Sequence, residues 1–376
     1  MTVAMVSRRL FVLVGLAFAS LWPPAEAAEP TIARGIVPVP EGQTNHAPGL
    51  VELTDGRLLV CWYSGTSEAN EDTRILCSDS TDRGGSWSLP RVVVDRGEQA
   101  FGAEAANKSP GNVTLHFDGR GRLWLIYGVI QRWDWPLIGN VCRNWLCGRV
   151  DAKVSADLGE TWSAAVRLDD QTGALPRAKP VHVDRLGDIL PLYREGDETA
   201  YLRIVDLAAM SPGQSLPLPS GLVVPLVGEA LIQPSLVVQP NGLIRAYLRD
   251  SRSASVFTAL FDPASGLAAP AVPTNLPNPG AAVDAWLDDA SRFVLVYNPS
   301  TGDRHSLSLA QSTDGVHFHP GCDLVASGAE GDVAYPTVIR SANGDWHVVY
   351  SSDGKTRIQH VRFNAAWLDH CLAARN

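Results

Sequence analysis

Charge is scarce in this chain. Asp, Glu, Lys and Arg supply 19% of the 376 residues, and their balance is acidic, a formal net -9. That sign argues against nucleic acid as a general partner, because a polyanion is bound by a basic face. Helical periodicity is almost missing, with one plausible helical turn near "NAAWLDH" at the end. No apolar run beyond Trp22 is long enough to cross a bilayer, so no membrane span is expected after it. Cys-x-x-Cys pairs, Gly-rich phosphate loops, His-Glu-x-x-His and Gly-x-Ser-x-Gly are all lacking. Zinc-ribbon, thioredoxin, nucleotide-dependent, metalloprotease and α/β-hydrolase chemistry therefore find no support, and the pattern implies no metal and no cofactor.

What the chain has in quantity is apolar surface: 45% of its residues are hydrophobic, enough for a large core. It opens with Arg8 and Arg9, an apolar run from Leu10 to Trp22, and Ala25-Glu26-Ala27 in the small-x-small form of a cleavage site. Residues 1–27 are expected to be a secretory signal. "SRRLFV" also fits twin-arginine export, and either route delivers residues 28–376 to the periplasm or medium as one domain. All 6 cysteines lie in that part. Cys61 and Cys77 sit in two strand-like runs equidistant from a turn around Ala69, Cys142 and Cys147 would close a small loop, and Cys322 is left for Cys371.

Six segments share one design of polar residue, proline, apolar strand, Gly or Asp turn, and second apolar strand. They begin at Asn45, Asn107, Arg177, Leu231, Pro277 and Ala334, and their prolines Pro48, Pro110, Pro180, Pro234, Pro279 and Pro336 lie 45 to 70 residues apart. "TDGR", "PNGL" and "ANGD" are tight-hairpin turns. Six antiparallel units with no helices between them predict an all-β, six-bladed β-propeller.

The octets "STDRGGSW" from Ser80 and "SADLGETW" from Ser155, with a shortened "STDGVHF" from Ser312, each follow the third strand of a unit. Their Ser and Asp are expected to accept from backbone N–H groups in the turn to the outermost strand, with Gly at positive φ and the aromatic packed between strands. They lack the alternating ligands of a calcium loop.

This octet is the Asp box, and with six such units the chain resembles the sialidase superfamily, in particular sialidase-like bacterial BNR-repeat proteins, from His46 to Phe363. The resemblance implies a site in which three arginines grip a sugar carboxylate, a tyrosine with a glutamate base attacks the anomeric carbon, and an aspartate is the acid. Carried over, it assigns Tyr335 as nucleophile, Arg249 and Arg304 as two of the arginines, and Glu68 in "SGTSEANED" as the acid. His46 stands where the first arginine belongs and Gln233 where the glutamate belongs. A histidine cannot reproduce the two-pronged guanidinium grip, and a neutral amide cannot take a proton from Tyr335.

The residues preceding the six inner strands are expected to point into the mouth of the central axis: His46, Asn107 with Lys108, Lys179, Gln233, Asn278 with Asp284, and Tyr335. Asp284 is a candidate acid or base with Tyr335 or Glu68 as its partner, unless "NPGAAVDAW" merely caps a turn. Lys108, Lys179 and Arg249 suit an acidic glycan. The insertion "QRWDWPLIGNVCRNWLCG" is either a sugar-stacking platform or a loop packed by its own tryptophans. Two functions stay open: an exported, cofactor-free glycosidase acting on acidic glycans, and a non-catalytic propeller that binds a glycan or an envelope protein.

Overall fold

Each proline-headed segment becomes one sheet of a six-bladed β-propeller. The computed structural model describes residues 28–100, 106–137, 139–142, 144–211 and 221–374; the expected signal segment lies outside them. Blade one is Thr44–Glu52, Leu58–Gly65, Arg74–Ser80 and Arg91–Val94, in that order from the axis outward. Blade two is Asn107–Phe117, Leu123–Gln131, Gly148–Ser155 and Val166–Asp169. In blade three the inner strand is broken into Ala174–Pro176 and Val181–Val183, followed by Gly187–Arg194, Thr199–Val205 and Leu222–Leu226. Blade four runs Leu231–Val238, Ile244–Asp250, Ser255–Asp262 and then Val272–Pro277. Blade five is Asp284–Leu287, Phe293–Tyr297, Leu307–Ser312 and His319–Val325.

Blade six has three strands of its own, Ala334–Arg340, Trp346–Ser352 and Arg357–Phe363. Its fourth comes from the other end of the chain: Ile32–Val37 pairs antiparallel along Arg357–Phe363, Ile32 opposite Phe363. This closes the ring and covers a sheet edge. The core lies between blades, as where Tyr63, Leu59 and Cys61 of blade one meet Tyr127, Leu125 and Val113 of blade two.

The prolines do more than mark the repeat. Pro48, Pro234 and Pro336 have no N–H for the ladder, and the pairing register slips around each of them. The residue before each, Ala47, Gln233 or Tyr335, takes a left-handed backbone with φ of 53°, 54° and 59°. Blade two slips likewise at Asn112, φ 45°. Such bulges re-aim side chains, and a left-handed non-glycine residue is strained by about 1–3 kcal/mol.

The octets build the turns their sequence calls for. Ser80 Oγ accepts from Gly84 N–H at 2.7 Å and Asp82 Oδ1 from Ser86 N–H at 2.8 Å, and Ser155 with Gly159 and Asp157 with Thr161 repeat the pattern. The hydroxyls of Ser86 and Thr161, then the N–H groups of the same residues, hold Asp82 and Asp157 down at about 2. The cysteines pair 61–77, 142–147 and 322–371, Cys61 and Cys77 being directly opposed across their hairpin. The last bridge fastens the one α-helix among the described residues, Ala365–Ala373, to the outer strand of blade five. No helix among these residues is long and apolar enough to cross a membrane.

Candidate functional site

Four left-handed bulges and the broken inner strand of blade three bring a phenol and several cations together at the axis. Tyr335 Oη accepts from Gln233 Nε2 at 3.0 Å and from Arg249 Nη1 at 3.2 Å. Gln233 Nε2 also reaches Tyr193 Oη at 3.3 Å, which accepts from Asn112 Nδ2 at 3.0 Å. Thus the two bulge residues Gln233 and Asn112 link blades two, three, four and six through two tyrosines. Under the Tyr335 ring lies Arg177, its guanidinium carbon 4.9 Å from the ring centre, in cation–π range. Arg177 comes from blade three and donates to Pro336 O at 2.8 Å and Thr337 Oγ1 at 3.2 Å on blade six. In a six-membered ring those blades are opposite, so this side chain fills the axis.

His46 also packs against Tyr335, ring centres 4.4 Å apart, with Nδ1 2.8 Å from Ser351 Oγ. Burial, then the charges of Lys355, Arg177, Arg304 and Arg249, hold its pKa well below the usual histidine value. His46 is therefore neutral at pH 7 and lies among four cations. Arg249 Nε is buried with no partner among the described residues, an unused donor in this cationic setting. Arg304 is anchored by Nη2 to Gly280 O at 2.5 Å.

Two carboxylates border the cations. Glu68, exposed in the blade-one loop, accepts from Lys355 Nζ at 2.6 Å and from Trp145 Nε1 at 3.0 Å. Burial alone would raise its pKa, but these two bonds and the Lys355 charge bring it below the ordinary value. Glu195, just after the second strand of blade three, is pushed up by burial, with Glu198 and Glu68 adding to the rise and Arg249 opposing it. Trp145 reaches Glu68 because blade two has glycine at 111, where a Cβ would stand 2.4 Å from the indole.

The other expected residues are engaged in holding the fold or lie at the surface. Asp284 is buried and its oxygens are fully engaged: Oδ1 accepts from Ser235 Oγ at 2.6 Å and Ala285 N at 3.0 Å, Oδ2 from Val338 N at 2.8 Å and from Lys179 Nζ. Four bonds fill the carboxylate's acceptor positions, tying together blades three to six. Asn278 caps the Asn278–Ala281 turn through both side-chain atoms, and Asn107 donates to Glu98 O and Asp151. Lys108 lines a surface depression with Asn70, Glu71, Asp72, Arg96 and Arg132. Of the three tryptophans in the blade-two insertion, Trp145 joins the site, whereas Trp133 and Trp135 remain 60% and 53% exposed.

A family model described as a BNR repeat-like domain matches residues 56–348. The chain belongs to the BNR repeat-like family. Among solved structures this BNR repeat-like protein is similar to a protein of unknown function from Dyadobacter fermentans, at 12% identity and TM-score 0.67 over 89% of this chain and 99% of that one. It is similar to the intramolecular trans-sialidase of Ruminococcus gnavus, solved with oseltamivir carboxylate, at 12% identity and TM-score 0.66 over 87% and 95%. A mutant of NanB sialidase from Streptococcus pneumoniae gives 13% identity and TM-score 0.64 over 85% and 68%. At such identities the likeness is one of fold. No curated protein sequence matches.

For a BNR repeat-like protein, the sequence pointed to Gln233, Arg249, Tyr335 and His46, and these four do meet. It did not point to Arg177, Tyr193, Glu195, Ser351 or Lys355. Arg177 carried a usable signal: it opens the third repeat, "RAKP", three residues before the repeat's proline.

Proposed function

We propose that the protein is an exported, cofactor-free glycosidase of the sialidase superfamily that removes an acidic sugar from a glycan. The observation that carries this reading is the convergence on Tyr335: two hydrogen-bond donors on its oxygen, a guanidinium under its ring, and Arg249, Arg304 and Lys355 nearby to take an anion. Arg249 and Arg304 hold the sugar carboxylate, Arg249 through its unpaired Nε. Tyr335 Oη attacks the anomeric carbon, a phenol being a nucleophile that an anionic substrate does not repel. Gln233 cannot accept the phenol's proton and Glu68 makes no hydrogen bond to Tyr335, so the proton passes through water to ionised Glu68 and from it to the leaving oxygen as the glycosidic C–O bond breaks. Water then attacks the anomeric carbon, and the tyrosyl oxygen leaves and regains a proton. Arg177 and neutral His46 both pack on the ring of Tyr335 and hold it in place.

The second reading, a non-catalytic glycan-binding propeller, is favoured by one observation. No carboxylate among the described residues hydrogen-bonds Tyr335 Oη, and an amide stands beside it. Hydrolysis of aryl sialoside, glucuronide and rhamnoside by the mature protein separates the two. The glycosidase reading expects release from an acidic sugar, reduced at least a hundredfold in Tyr335→Phe. Equal activity in that variant removes Tyr335 as nucleophile; silence with calorimetric binding of an acidic sugar establishes the binding propeller.

A further inference from the structure

The Glu68 loop and the blade-two insertion meet at more than one point. Besides the bond from Trp145 to Glu68, Arg132 Nη1 donates to Glu71 Oε1 at 3.3 Å and its Nη2 to Asp134 Oδ1 at 3.4 Å. Two depressions share this Arg132 as a wall. One, of about 480 Å³, is lined by Asn70, Asp72, Arg96, Asn107 and Lys108. The other, of about 250 Å³, is lined by Gln131, Trp133, the Cys142–Cys147 bridge, Arg149 and Thr172. Both open on the face that carries Tyr335. Asn107 starts its inner strand as Ala334, beside Tyr335, starts its own, and Gln131 ends a second strand as Asp250, beside Arg249, does. The larger depression takes in Asn70, two residues past Glu68, and the smaller takes in Cys147, two residues past Trp145. Together they form one groove that borders the contact between Glu68 and Trp145.

The lining is neither apolar nor of one charge. Amides, a hydroxyl, carboxylates and guanidinium groups supply donors and acceptors side by side, and a sugar hydroxyl is both at once. Trp133 adds a flat apolar surface that fits the C–H face of a sugar ring. Its backbone is pinned, the N–H donating to Asn140 Oδ1 at 3.0 Å and the carbonyl accepting from Val141 N–H at 2.9 Å. The indole is thus held out at 60% exposure, and stacking a ring on it costs little further ordering. The larger depression alone is in the range of about 300–1,000 Å³ that takes a drug-sized ligand, so the groove has room for more than one ring. We propose that this groove holds the glycan chain from which the acidic sugar is removed, with one ring of that chain stacked on Trp133 and the hydroxyls of another bound by Asn70, Arg96 and Arg132. This rests on the acidic-sugar reading and extends it, because Glu68 protonates the leaving oxygen and the groove begins beside Glu68. The substrate is then the end of an oligosaccharide, not an acidic sugar on a small alcohol.

An array of immobilised glycans that end in N-acetylneuraminic acid or in glucuronic acid, from one to about five sugars long, tests this. The mature Tyr335→Phe protein is the probe, since it should bind without turnover. In one of the two series its affinity is expected to rise about tenfold or more from one sugar to three. Adding Trp133→Ala or Arg96→Ala should remove most of that gain and leave the single acidic sugar bound as before. Trp135→Ala is the control: its indole is 53% exposed on the same hairpin but lines neither depression, and the gain should persist. A gain that survives both Trp133→Ala and Arg96→Ala, or that Trp135→Ala abolishes equally, overturns the groove. Affinity independent of length also overturns it and leaves the acidic-sugar reading standing. Binding of neither acid at any length removes that reading and the groove with it. Unchanged thermal midpoints show that the variants are folded.

Discussion

Asp284 and Glu195 are both acidic, both near the axis and both beside strands of the inner walls, yet their surroundings are opposites. Four donors from four blades converge on Asp284. None among the described residues reaches Glu195, which only feels charges around it. The same division runs through the cations: Lys179 is spent on Asp284, whereas Arg249 keeps a buried N–H in reserve.

The sharpest way to break this comparison is to remove each carboxylate. Asp284→Ala strands Lys179 and the Val338 N–H and should lower unfolding free energy by about 3–5 kcal/mol. Glu195→Gln should leave it unchanged or slightly higher in the same urea titration. Equal losses would erase the distinction.

The satisfied part of the molecule also contains a buried histidine pair, His347 Nδ1 and His360 Nε2 3.0 Å apart. Burial is the main cause holding His347 at about 4 and His360 at about 3. The unfolded chain takes up these protons below about 6.5 and the folded one does not. Stability should therefore be level above that pH from this source and fall between about 6.5 and 3, by a few kcal/mol in all. Urea midpoints across pH would show it, and His360→Gln should flatten the slope.

At the open end, Gly111→Ala puts a methyl against Trp145 and should cost about 1–3 kcal/mol. It should also change indole fluorescence as Trp145 leaves Glu68, a response absent from a control at exposed Gly242→Ala. The smallest effect is expected at Ala47→Gly, which relieves a left-handed alanine at φ 53° while loosening the unfolded chain. Its net gain should stay within about 1 kcal/mol by thermal unfolding.

Much of this was legible in residues whose job is local. Prolines ahead of short apolar strands, hairpin turns and Ser-x-Asp-x-Gly octets act within a few positions, and they gave the six blades and the bridge between Cys61 and Cys77. Gln233 and Tyr335 hold equivalent places at the head of their inner strands, and the resemblance added Arg249, which ends the second strand of blade four. What escaped was non-local. Nothing near Ile32 says that it pairs with Phe363, because the partner lies at the other end of the chain. Arg177 escaped because blade three breaks its inner strand, so the register that placed the other site residues does not carry over. Asp284 was singled out by residue type and position, and only the donors around it reveal its tie to four blades.

The N-terminal strand of blade six has a consequence for the life of the molecule before it is finished. Ile32–Val37 is synthesised before the other described strands and has no sheet partner until Arg357–Phe363 follows. Five blades can form while the ring gapes, with an unpaired strand at one end and a bare edge at the other, both able to join another chain. The ring closes last, between residues that were made furthest apart in time.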